Sequence, residues 1–107
     1  MADVWGALAQ AAPAANTLTT GYVVPTGKRS TIEVVVCNTG AVATVRLSHA
    51  VAGAADTPKQ YLLWDFPLGV GDAKVTARWT VNAGDYIRVL ASTATVIFNI
   101  NGIEETV

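Results

Sequence analysis

The sequence predicts an all-β fold, an antiparallel β-sandwich (jelly-roll-like or Ig-like) of about seven to eight strands with an N-terminal arm. Three observations predict it. From Thr17 onward, short β-branched or aromatic segments are separated by Gly, Pro, Asn and Asp at intervals of about 8–14 residues. Inside several segments apolar and polar residues alternate: Val45, Leu47 and Val51 oppose Arg46 and Ser48, and Val96, Phe98 and Ile100 oppose Thr95 and Asn99. The close spacing of these turns leaves almost no room for helices. At 107 residues the chain supports one core, so residues 17–107 are read as a single domain.

The first sixteen residues differ in kind. They are Ala-rich, carry Val4, Trp5 and Leu8 as their large apolar groups, and end at Pro13 and Asn16. Residues 1–16 therefore read as an arm, helical over 4–12 or extended. Trp5 would anchor it in a neighbour's groove, or the arm would lie as a flap over its own sheet. Strands are expected at 17–24, 31–38, 43–51, 59–67, 74–81, 85–91 and 95–101. Turns are expected at 25–27, 39–40, 53–58, 69–72, 82–84 and 92–93, where Gly, Pro, Asn, Asp and Ser collect. The segment 31–38 has Ile32, Val34 and Val36 on one face and Val35 and Cys37 on the other, so it asks for cover on both sides. Val24 to Lys28 and Val81 to Asp85 share a Val-x-x-Gly-charged pattern, read as two hairpins with the same turn chemistry.

Hydrophobic residues make up 51% of the chain and charged residues only 14%, against about 25% charged in an average soluble domain. A domain with so few charges to place on its surface is suited to burying that surface against copies of itself or a partner. The net charge is −1 and the basic residues are scattered, which disfavours nucleic-acid binding. The Lys28-Arg29 pair, beside Pro25 and Gly27, is expected in a solvated loop. The N-terminus has no basic segment followed by a long apolar run, and no stretch approaches a membrane span, so synthesis and initial residence in the cytoplasm are expected.

Catalytic and metal chemistry are poorly supplied. Cys37 is the sole cysteine, which excludes an internal disulfide and a multi-thiolate zinc site. His49 is the sole histidine, falls on the Val45-Leu47-Val51 face, and has no nucleophile motif beside it; it reads as a satisfied core or interface residue. Asp65, between Trp64 and Phe66, is one conceivable half of a glycosidase dyad with Glu33, a pairing any all-β chain can offer. No cofactor and no metal are expected. Carbohydrate binding is the more serious alternative to a structural role, since Tyr61, Trp64, Trp79 and Tyr86 would present flat apolar rings with polar tips.

Over most of the chain after Leu8, one series of segments carries a resemblance. Tyr22-Val23-Val24-Pro25-Thr26-Gly27-Lys28 is followed by Val34-Val35-Val36-Cys37-Asn38-Thr39-Gly40. The chain closes through Ala91-Ser92-Thr93-Ala94 into Gly102-Ile103-Glu104. In this order the segments resemble the small structural proteins of tailed-bacteriophage virions: tyrosine, Val-Pro-x-Gly, a strand ending in Cys-Asn or Val-Asn, and an Ala-Ser-Thr-Ala hairpin leading to Gly-Ile/Val-Glu. The resemblance implies a non-enzymatic building block of the virion with no catalytic residues. It self-associates about a symmetry axis, as a homotrimer, and decorates or cements the capsid; the alternative position is the tail, baseplate or neck. Its implied partners are itself and the major capsid or tail proteins, with neither nucleic acid nor membrane. The candidate assembly contacts are Trp5, Leu8, Val35, Cys37, Trp64 and Trp79.

Overall fold

The structure, a computed structural model, describes residues 3–107. Nine strands run in chain order: β1 (Val4–Ala11), β2 (Thr19–Val23), β3 (Lys28–Asn38), β4 (Ala43–Ala50), β5 (Tyr61–Leu68), β6 (Ala73–Val75), β7 (Trp79–Asn82), β8 (Tyr86–Ala91) and β9 (Val96–Thr106). Two short 3₁₀ turns, Val51–Gly53 and Pro58–Gln60, join β4 to β5. Sheet A has the order β1-β9-β3-β6, with β7 also pairing β3; sheet B has the order β2-β8-β4-β5. Every pairing is antiparallel.

The pairs are nested. β1 lies with β9, β2 with β8, β3 with β6 and β7, and β4 with β5, so one long antiparallel ribbon has been rolled up and its successive rungs dealt alternately to two sheets. That is the jelly-roll arrangement, one of the two connections the sequence allows. The inward residues of both sheets meet in one core, with Ile32, Val34, Val36, Val45, Leu47, Ile87, Val89, Val96, Phe98 and Ile100 fully buried. The period-2 alternation in β3, β4, β8 and β9 is this core seen in sequence.

Several expectations require correction. Of the expected arm at 1–16, residues 1 and 2 lie outside the described residues, and Val4–Ala11 is the edge strand of sheet A, paired to β9 from Val4↔Glu104 to Ala11↔Phe98. This strand thus belongs to the sandwich, and it widens sheet A instead of covering β3. The expected strand at 74–81 is two strands. Thr76 interrupts it: its backbone N–H donates to the Val34 carbonyl (3.0 Å) and its Oγ1 accepts from the Val34 N–H (3.0 Å), so the side chain takes over a ladder bond. β9 runs on past residue 101 through Gly102, where a Cβ would land on the Thr31 carbonyl oxygen; glycine there permits close approach of two backbones. Lys28 is not in a solvated loop either. It is largely buried at the start of β3 and donates through Nζ to Thr106 Oγ1 (3.0 Å).

The shared Val-x-x-Gly-charged pattern has a structural counterpart. Lys28 N–H closes its turn on Pro25 O (3.1 Å) and Asp85 N–H closes on Asn82 O (3.0 Å). Gly27 and Gly84 hold positive φ, at 78° and 85°. A type II turn demands that at its third residue. The second turn also hydrogen-bonds to the strand end that leads into the first: Val24 N–H donates to Asp85 O (3.1 Å) and Gly84 N–H donates to Val24 O (3.0 Å). The repeated chemistry pins the β2 end of sheet B against the β7–β8 connection.

Candidate functional site

The outer face of sheet A is open, and cross-strand register decides which side chains share it. One row runs Trp5–Ile103–Thr31–Thr80, the next Ala7–Asn101–Glu33, the next Gln10–Asn99–Val35–Val75, and the last Ile97–Cys37–Ala73. Directly opposite residues of antiparallel strands project to the same side, so apolar groups mark the two ends of this face and polar ones its middle. The polar middle is tied down: Gln10 Nε2 donates to Asn99 Oδ1 (2.8 Å), and Glu33 lies 3.9 Å from Arg78. Trp5 is 72% exposed and Val75 54% exposed. Val35 and the free thiol of Cys37 are half-buried between their neighbours.

This face is bounded by β1, whose sequence VWGALAQA has neither charge nor proline over eight residues. The other edges are defended in the usual ways. β5 carries Pro67 and a bulge, β2 is five residues long with a bulge of its own, and β6 and β7 are three and four residues long. β1 has an irregularity between Ala7 and Ala9, and Leu8 turns there toward the core.

On sheet B the outer side of β5 carries a second constellation. Val45 pairs Phe66 and Leu47 pairs Leu63, so Arg46 alone faces both Trp64 and Asp65. The Arg46 guanidinium lies 3.7 Å from the Trp64 ring centroid, and its Nε and Nη2 donate to the two Asp65 carboxylate oxygens at 2.7 and 3.1 Å. Tyr61 meets Trp64 edge-on at 4.8 Å and donates its hydroxyl to Asp56 Oδ2 (2.9 Å). The Arg46 hydrogen bonds hold the Asp65 carboxyl below the ordinary carboxylate range. A glycosidase acid would need the opposite shift. Glu33, its imagined partner, sits on the outer face of sheet A, so the two carboxylates belong to different sheets and form no dyad.

Two buried polar clusters hold the ends of the sandwich. Asp85, 3% exposed, accepts from His49 Nε2 (2.7 Å), Ala52 N–H (2.9 Å) and Asn82 N–H (2.9 Å). Burial pushes its carboxyl up, but the two backbone donors and His49 together outweigh that and leave it below its ordinary value. His49 is thus a satisfied histidine at the end of β4. Elsewhere, Tyr22 donates to Glu104 Oε2 (2.5 Å) and shares a hydrogen bond with Ser30 (2.8 Å); burial, then the Glu104 bond, push its phenol well above the usual range.

The six candidate contacts do not form one patch. Trp5, Val35 and Cys37 share the outer face of sheet A, and Trp64 is 54% exposed on sheet B. Leu8 and Trp79 instead pack against the core. Trp79 opposes the core residue Ile32, its ring lies 6.5 Å from His49, and its Nε1 is buried without a hydrogen bond. Trp79 therefore packs inward, whereas Trp64 stands exposed beside Tyr61. Sequence reasoning missed the roles of Arg46 and Asp85, whose partners depend on strand register and on a turn across the sandwich. Among the described residues no group of three His, Cys, Asp or Glu is placed to hold a metal ion, and no helix is long and apolar enough to cross a membrane. The chain matches no protein-family model, no curated protein and no solved structure.

Proposed function

We propose that the chain is a non-enzymatic structural protein of a tailed-phage virion, which self-associates as a trimer and decorates or cements the capsid. The observation that carries this reading is the open outer face of sheet A, ending at a charge-free, proline-free edge strand on which Trp5 stands 72% exposed. Such an edge offers unpaired backbone groups to a strand of another chain, and the exposed indole supplies an anchor of the kind that dominates interface energies. A low charge content and a jelly-roll core agree with repeated self-packing. The burial of apolar surface, at about 25 cal/mol per Å², would drive assembly, and many copies on one particle would add avidity.

The test is quantitative mass spectrometry of gradient-purified particles of the encoding phage, with heads and tails separated. The expected result is the chain in many copies on the head fraction. Enrichment with tails would replace the capsid position by the tail one, and absence from both fractions would overturn the virion reading.

A further inference from the structure

We propose that the outer face of sheet B carries a platform for neutral oligosaccharides, built on Trp64, Tyr61, Arg46 and Asp65. The inference is independent of the virion reading and begins from the bulge in β5. Two residues, Trp64 and Asp65, stand where the ladder has room for one, opposite Arg46. Asp65 takes a positive φ of 48° to do so. Few residues other than glycine adopt that region, and Asp is among those that do. The extra residue lets Leu63 and Phe66, three apart in sequence, both pack against the core, and it leaves Trp64 and Asp65 facing solvent. On the solvent side the same bulge brings an indole onto the face of one guanidinium and a carboxylate onto its N–H edge.

The result is an exposed ring that is already immobilised. Arg46 stacks 3.7 Å from the Trp64 centroid, Asp65 chelates that guanidinium, and Tyr61 buttresses the indole at an interplanar angle of 89°. A ligand laid on Trp64 has little side-chain freedom to freeze. The surrounding polar groups fit hydroxyls, which both donate and accept. The Asp65 and Asp56 oxygens accept, and the remaining N–H groups of Arg46 donate. Charge is balanced, with Arg46 against Asp65, which gives no pull on phosphates or polyanions. A pyranose has the matching character, one face of C–H groups for the ring and a rim of hydroxyls for the polar groups. A strand from another protein fits less well, because the bulge and Pro67 interrupt the hydrogen-bonding edge it would need.

Maltohexaose, cellohexaose and chitohexaose are titrated into the full-length chain at millimolar concentration, with binding read by tryptophan fluorescence and by amide and indole NMR shifts. At least one of the three is expected to bind saturably and to move the Trp64 indole signal. Trp64→Ala should then weaken binding at least about tenfold, or about 1.4 kcal/mol, at an unchanged thermal midpoint. Arg46→Lys, which keeps the charge but loses the planar stack and the fork, should weaken it several-fold. Trp5→Ala, on the other sheet, should bind like the parent. Failure of all three sugars to shift Trp64 overturns the proposal. So does a Trp64→Ala variant that binds sugar normally but loses self-association, which would give the patch to a second copy. Neither outcome touches the placement of the chain in the particle.

Discussion

Asp85→Ala is expected to lower the unfolding free energy by about 3–5 kcal/mol at neutral pH. The carboxylate holds three donors from three segments: His49 at the end of β4, Ala52 in the turn that follows, and Asn82 at the end of β7. Alanine leaves all three without an acceptor in a place where water scarcely reaches, since Asp85 is 3% exposed. The Ala52 turn is the costlier loss, because Ala52 sits at a φ of 55° and the Asp85 bond is one of the contacts holding it there. Urea unfolding measures the effect. The pH dependence has a definite sign. The folded carboxyl titrates below its unfolded value, so its contribution is present above about pH 4 and is lost as pH falls through the folded value. Parent and Asp85→Asn stabilities should therefore differ at pH 7 and converge in acid. Parallel curves down to pH 2 would contradict this role.

Asn38→Ala is the second large effect, about 3 kcal/mol, or a fall in Tm of about 15 °C for a domain of this size. Asn38 is fully buried at the end of β3 and satisfies both ends of its amide. Its Nδ2 lies within reach of the carbonyls of Ala41 (2.7 Å), Leu68 (3.1 Å) and Gly69 (3.3 Å). Its Oδ1 accepts from Gly40 N–H (3.1 Å) and Thr95 Oγ1 (2.9 Å). Three connections thereby close on one side chain: β3 to β4, β5 to β6, and β8 to β9. Asn38→Asp is the discriminating variant, since it keeps the shape but turns a carboxylate toward three carbonyl oxygens. It should be at least as destabilising as alanine by thermal unfolding; a near-neutral Asp variant would mean that the amide does not tie these loops.

The elements legible in sequence are those whose pattern is set by one core. β3, β4, β8 and the first part of β9 alternate because every second residue enters the same sandwich interior, and the Gly27 and Gly84 turns announce themselves through residues that tolerate positive φ. The illegible parts depend on partners distant in sequence. VWGALAQA is apolar but lacks the period-2 alternation of a half-buried strand, and it is a strand because β9 supplies its ladder. The break at Thr76 comes from a side chain that imitates a backbone acceptor, and Gly102 reads as a strand end although it marks a close backbone crossing. The resemblance segment ending in Cys37-Asn38 contained the Asn38 hub, but its partners Leu68, Gly69 and Thr95 are distant in sequence and only the rolled ribbon brings them close. Likewise Trp64 was visible as an aromatic, whereas its pairing with Arg46 required the position of a bulge. Val51, expected on the core face, is exposed because β4 ends at Ala50 and the chain turns there.

Self-association is proposed to run through sheet A and its β1 edge. Light scattering during size-exclusion chromatography, run on the full chain and on Trp5→Lys, tests it directly. The parent is expected at the mass of three chains. Trp5→Lys, which puts a charge on an exposed position of β1 and should change folding stability by no more than about 0.5 kcal/mol, is expected to fall to a single chain. A mass of 11.1 kDa for both proteins at every concentration would contradict self-association through this face.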